Sequence, residues 1–115
     1  MKERTIIAEV DAVTGDRVKV GKAELLHAMK HFLLPEDILV QLLTRILQHP
    51  SEVYTDDTKH PHEYRLFYRL ENANYLLVVV KVIADGAFFA SMYPTGKSIK
   101  NAHKKMKRIE TNEKT

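Results

Sequence analysis

The chain has 115 residues, 44% of them hydrophobic, which is enough for one domain with a real core and too little for two. It holds no cysteine, so disulfides and thiolate chemistry are excluded and a reducing cytoplasm is compatible. The formal net charge is only +3, but its placement is uneven: "KSIKNAHKKMKR", 97 to 108, carries six Lys/Arg and no acid, which leaves the rest of the chain net acidic. A basic segment on an acidic body is a footprint for phosphates, with a solvated C-terminal helix as the plainer alternative.

Taken in order, "RTIIAEV" (4–10) and "RVKV" (17–20) flank a Thr-Gly-Asp turn and predict a short hairpin. "KAELLHAMKHFL", 22–33, predicts a helix with Leu25, Leu26, Met29, Phe32 and Leu33 on one arc, ended by Pro35. A second helix over 36–48 carries Leu39, Leu42, Leu43, Ile46 and Leu47, has Glu36 and Asp37 at the positive end of its dipole, and closes at His49-Pro50. "SEVYTDDTKHPH" reads as a polar loop. Strands follow over 63–71, 75–83 and 87–93, linked by "NAN" and "ADG" in an antiparallel meander. The middle strand is almost continuously apolar and is expected to be covered on both faces, by the helices on one of them. The chain is expected to form a single α+β domain over 1–110, N-terminal helices packed on a four- to five-stranded antiparallel sheet, with 111–115 a frayed tail. No signal-peptide pattern or span long enough for a bilayer is present, so a soluble, cytoplasmic protein is expected, with no membrane partner.

Lys81 interrupts the apolar middle strand, and a lysine is rarely buried unless it is paired or useful. Strand alternation puts Arg65, Phe67 and Arg69 on one face. If 72–74 is a three-residue turn, Glu71 pairs with Tyr75 and Arg65 stands directly opposite Lys81. Two cations so placed ask for an anion between them. A three-residue loop at 84–86 then adds Phe89, Ser91 and Tyr93 to the Lys81 face, whereas a two-residue loop sends Ser91 and Tyr93 to the other. Plainer readings stay open: Lys81 snorkelling to the sheet edge, Arg65 and Arg69 solvated, Tyr93 in the core.

On the first helix, Glu24, His27 and His31 form the stripe opposite the leucines. The histidines are either solvated polar residues or proton-transfer groups bordering the cationic face. A third metal ligand is lacking at a convincing spacing, so no metal and no cofactor are expected. "YPTGKS" lacks the glycine a phosphate loop requires, because position 91 is serine, and there is no G-x-S-x-G elbow.

The succession "LLHAMKH", "RILQHPSEVY", "YRLFYRL", "LLVVVKV" and "FFASMYPTGKSIK" resembles the barnase, EndoU, colicin and RelE-like superfamily of small ribonucleases, especially its phage- and toxin-associated branches, over about 5–100. The resemblance implies helices on an antiparallel sheet whose concave face cleaves RNA without metal. His27 and His31 match the histidines of that branch's first helix, Lys81 the lysine closing the central strand, Ser91 and Tyr93 a hydroxyl residue and a tyrosine, and Arg65 a strand arginine. Phe32-Leu33 stands where proline and an acid usually follow the second histidine, so His27 ranks above His31.

The function expected from these readings is a metal-independent endoribonuclease, with RNA as partner and, if the chain is a toxin, an acidic antitoxin or immunity protein. His27, with His31 behind it, is the proton-transfer candidate. Lys81 and Arg65 stabilise the phosphorane, Ser91 and Tyr93 hold the phosphate or leaving oxygen, and Arg69, Lys97, Lys100, Lys104 and Lys105 grip flanking phosphates. A non-catalytic RNA-binding module and a phage- or toxin-associated protein-interaction domain are the alternatives.

Overall fold

The structure is a computed structural model that describes residues 5–56, 62–71, 74–96 and 107–109. Among them are β1 (Ile6–Asp11), β2 (Arg17–Gly21), α1 (Lys22–Met29), α2 (Glu36–Gln48), β3 (Glu52–Asp56), β4 (His62–Arg69), β5 (Tyr75–Ile83), β6 (Gly86–Thr95) and β7 (Lys107–Ile109). The strands form one mixed sheet in the order β1-β2-β6-β5-β4-β3-β7. The fold is α+β, but the expected four to five antiparallel strands behind N-terminal helices need correcting. A hairpin precedes the helices and joins the same sheet, its β2 running parallel to β6.

That hairpin forms as its sequence suggests. Gly15 supplies a φ of 93°, and the Ala12 N–H donates to the Asp16 carbonyl at 2.9 Å. Val10, Val18 and Val20 face inward, while Arg17 lies outside, 3.6 Å from Glu9 and 3.7 Å from Asp11.

α2 occupies the expected 36–48. Pro35 is its N-cap, and Leu39, Leu43, Ile46 and Leu47 are fully buried. α1 is shorter than expected. It stops at Met29, and the Lys30, His31 and Phe32 amides donate three residues back, to His27, Ala28 and Met29. Tightening to that pitch turns the following side chains off the 3.6-residue stripe. Leu25 and Ala28 are therefore the buried pair, while Leu26 is half exposed and Leu33 is 99% exposed.

Both helices pack into one cluster with Val53, Leu66, Leu76, Val78, Val80, Phe89 and Met92. A smaller cluster, Phe67, Tyr75, Leu77 and Val79, lies on the other side of the sheet. β5 is thus buried on both faces from Tyr75 to Val80, as its unbroken apolar run requires. β3 falls in the stretch read as a polar loop. Its Val53 and Thr55 are buried, and Thr55 Oγ1 donates to the Glu63 carbonyl at 3.1 Å.

Both hairpin registers differ from expectation. Arg69, not Glu71, pairs with Tyr75, because 70–74 forms the connection and the Leu70 amide donates to the Asn74 carbonyl at 2.8 Å. The slip is two residues, so every side chain keeps its face while its partner changes. Between β5 and β6 the loop is two residues, with Ile83 opposite Gly86, which carries a φ of 128°. A bulge in β6 then restores the alternation: Val80 pairs with Phe89 but Val79 with Ser91, leaving Ala90 as the extra residue.

Because Leu43 is fully buried, Leu43→Ala lowers unfolding free energy by about 2–5 kcal/mol in urea titration. Leu33→Ser, at a solvated position, stays within about 0.5 kcal/mol of the parent.

Candidate functional site

The face of the sheet away from the core helices is organised in rows that cross the strands. One row runs Glu63, Lys81, Phe88, Lys19, Glu9 from β4 through β5, β6 and β2 to β1. The next holds Tyr54, Arg65, Val79 and Ser91, and the third Glu52, Phe67, Leu77 and Tyr93. Arg69 stands opposite Tyr75 at the far end of β4, exposed.

Arg65, Lys81, Ser91 and Tyr93 therefore share this face, as the sequence reading required. Three details are corrected. Arg65 lies opposite Val79, so it is diagonal to Lys81 rather than facing it, a separation of about 7–8 Å. Ser91 and Tyr93 reach the face through the bulge rather than through a three-residue loop. Phe89 leaves it for the core, fully buried, and Phe88 takes its place beside Lys81.

The residue opposite Lys81 is Glu63, whose carboxylate accepts from Arg65 Nη2 at 3.2 Å. The chain thus supplies an anion of its own between the two cations. It is committed to the arginine. Among the described residues Lys81 has no ion pair, and it is exposed directly after six buried residues. An ammonium so placed keeps its hydration while its stem rests on the apolar sheet.

Further along the same face the surface is aromatic. Tyr54 and Tyr75 meet Phe67 edge-on, with centroids at 5.6 and 6.0 Å, and the Tyr54 hydroxyl donates to Glu52 at 2.8 Å. In the Lys81 row, Lys19 Nζ lies 5.5 Å from the Phe88 ring centroid. Ser91 and Tyr93 are half-buried.

A groove of about 250 Å³ opens at the β5–β6 end of the sheet, lined by Glu24, Lys81, Ile83, Phe88, Phe89 and Ala90. α1 contributes Glu24 to it, and neither imidazole is part of the lining. His27 lies one turn beyond Glu24 on the same helical stripe, exposed. His31 lies past the end of α1, its ring meeting that of His27 edge-on at 6.0 Å. The histidines are brought to each other, with Glu24 as the link between their helix and Lys81.

Glu24, Lys19, Phe88 and Glu63 were not selected as site residues from sequence. For Lys19, Phe88 and Glu63 the signal lies in strand register, which side-chain alternation alone does not specify, and Glu24 is brought to Lys81 by the packing of α1. Lys97, Lys100, Lys104 and Lys105 lie outside the described residues. No group of three or more His, Asp or Glu placed to hold a metal ion occurs among the described residues, and no helix there is long and apolar enough to cross a membrane. No protein-family model, curated protein or solved structure matches the chain.

If Glu63 competes with external anions for this face, Glu63→Gln elutes from heparin at higher salt than Glu36→Gln, which makes the same charge change at the start of α2. Its cost in stability is about 1–3 kcal/mol, because the mostly buried Arg65 guanidinium loses that carboxylate. Equal elution of the two variants would place the anion surface elsewhere.

Proposed function

We propose that the chain is a metal-independent endoribonuclease of the barnase, EndoU, colicin and RelE-like kind, with RNA as substrate. The observation that carries this reading is Lys81: an exposed ammonium where the buried part of the central strand ends, beside a groove and on one face with Arg65, Ser91 and Tyr93.

In the reaction, a ribose 2′-hydroxyl attacks the adjacent phosphorus, its proton passes to a general base, and the bond from phosphorus to the 5′-oxygen breaks. The departing oxygen takes a proton from a general acid, leaving a cyclic phosphate. DNA lacks the attacking hydroxyl. As charge gathers on the non-bridging oxygens, the Lys81 ammonium, which no other described residue engages, reaches them from solvent and stabilises it by its charge. Arg65 contributes from the diagonal position, shared with Glu63. Ser91 and Tyr93 offer hydroxyls on the same face, and Arg69 lies further along it for a flanking phosphate. His27 is the proton-transfer group, held on the helix that borders the groove, with His31 as its neighbour. Lys97, Lys100, Lys104 and Lys105 extend the grip on the strand. If the chain acts as a toxin in the cytoplasm, an acidic antitoxin or immunity protein covers this face.

A second reading, an RNA-binding module without catalysis, is favoured by one observation. Glu24, and no imidazole, lines the groove beside Lys81.

The test is incubation of the purified protein with total RNA in EDTA, followed by analysis of the product ends. Cyclic phosphate ends are expected, and His27→Ala or Lys81→Ala should each slow their formation by roughly 100-fold or more. Intact RNA that remains bound supports the module. Intact RNA with no salt-dependent binding removes both readings and leaves a protein-interaction domain.

A further inference from the structure

We propose that His27 and His31 form a two-histidine chelate for a divalent transition-metal ion of the zinc type, and that the bound ion withholds His27 from proton transfer; this second part rests on the ribonuclease reading above.

Local geometry is the first argument. The two residues are four apart and α1 stops between them at Met29, yet the tightened turn keeps them together, the His31 amide donating to the Ala28 carbonyl at 2.9 Å. Their ring centroids stand 6.0 Å apart, edge-on at 80°. A zinc–nitrogen bond of about 2.0–2.1 Å sets the ion about 3 Å from each centroid, and a tetrahedral angle then asks for centroids about 5 Å apart. Small side-chain torsions close the difference.

Availability is the second. Both residues are exposed, and among the described residues neither imidazole has a hydrogen bond or ion pair. A neutral imidazole keeps one unprotonated nitrogen to offer a metal. The pair sits at the negative end of α1, with the Glu24 carboxylate one turn back on the same stripe, and both favour a cation there against the exposed Lys30 ammonium beside them.

The ligand type decides the class of ion. Imidazole suits zinc, copper and nickel, whereas magnesium and calcium want oxygen, and in a chain without cysteine it is the principal zinc ligand. No third His, Asp or Glu completes the set among the described residues, so water fills the other positions and the ion exchanges with solvent. The second imidazole binds intramolecularly, so the pair holds the ion roughly tenfold or more tightly than either ring alone. An ion on His27 occupies the lone pair that would accept a proton, and cleavage stops until the metal is removed.

Untagged protein is titrated with zinc against a chromogenic zinc chelator, with no RNA present. His27→Ala and His31→Ala, each verified as folded by circular dichroism, should weaken binding at the pair roughly tenfold or more, while His49→Ala leaves it unchanged. Equal zinc affinity in the parent and both variants overturns the chelate. Free zinc at ten times the parent's dissociation constant should then slow cleavage of total RNA by the parent roughly tenfold, with recovery in excess EDTA. Zinc held by the pair with cleavage unaltered overturns the withholding of His27 and leaves the ribonuclease reading standing. RNA that stays intact even in EDTA overturns the ribonuclease reading and the withholding with it, whereas the chelate is decided by the binding titration alone.

Discussion

The face on which the proposed chemistry takes place depends on one extra residue in a strand. Side chains along β6 would alternate strictly from the two-residue loop onward, and strict alternation would put Ser91 opposite Val78, in the helix-covered core. Inserting Ala90 shifts the pairing by one, so that Ser91 meets Val79 and Met92 meets Val78. Phe89 and Met92 are then both buried against the helices, while Phe88, Ser91 and Tyr93 turn toward Lys81. Without the bulge the core would take up hydroxyls and lose a methionine.

Electrostatics on that face follow from the same geometry. Lysine is tolerated after six buried residues because position 81 lies where the apolar cover ends, and its ammonium stays in water. Arg65 is only 30% exposed and is held by a carboxylate 29% exposed, as a guanidinium near an apolar cluster requires. The two cations therefore differ in role. One is anchored and partly neutralised, and the other is available to a ligand from solvent. A polyanion arriving here finds a charge gradient rather than a uniform patch, with Glu24 marking its far side.

How much of this could be read from sequence differs by element, for physical reasons. α2 was legible to its ends because an apolar stripe at helical spacing, two acids in its first turn and the His49-Pro50 stop all agree. The apolar run of β5 and the glycine turn of the first hairpin were equally clear. β3 was not, since its inward residues are only Val53 and Thr55 and its outward ones are polar. α1 ended early because its last turn tightens, and no residue between Met29 and Pro35 signals that. The faces of Arg65 and Lys81 were legible, but their pairing was not, because a slip of two residues leaves the hydrophobic pattern unchanged. The two-residue β5–β6 loop shifts the register by one and the bulge shifts it back, which is why Ser91 and Tyr93 fall on the expected face. The groove had no local signature at all. Glu24 and Lys81 are distant in the chain, and only the fold brings them to one opening.

Backbone amide NMR during titration with an uncleavable 2′-fluoro RNA tests most directly whether the open face of this sheet receives the nucleic acid. The account predicts that shifts concentrate on Lys81, Phe88, Ser91 and Glu24, with the solvent side of α2, at Gln41, Arg45 and Gln48, unmoved. Shifts confined to α2 or to the β1 edge, with β5 and β6 silent, would contradict it.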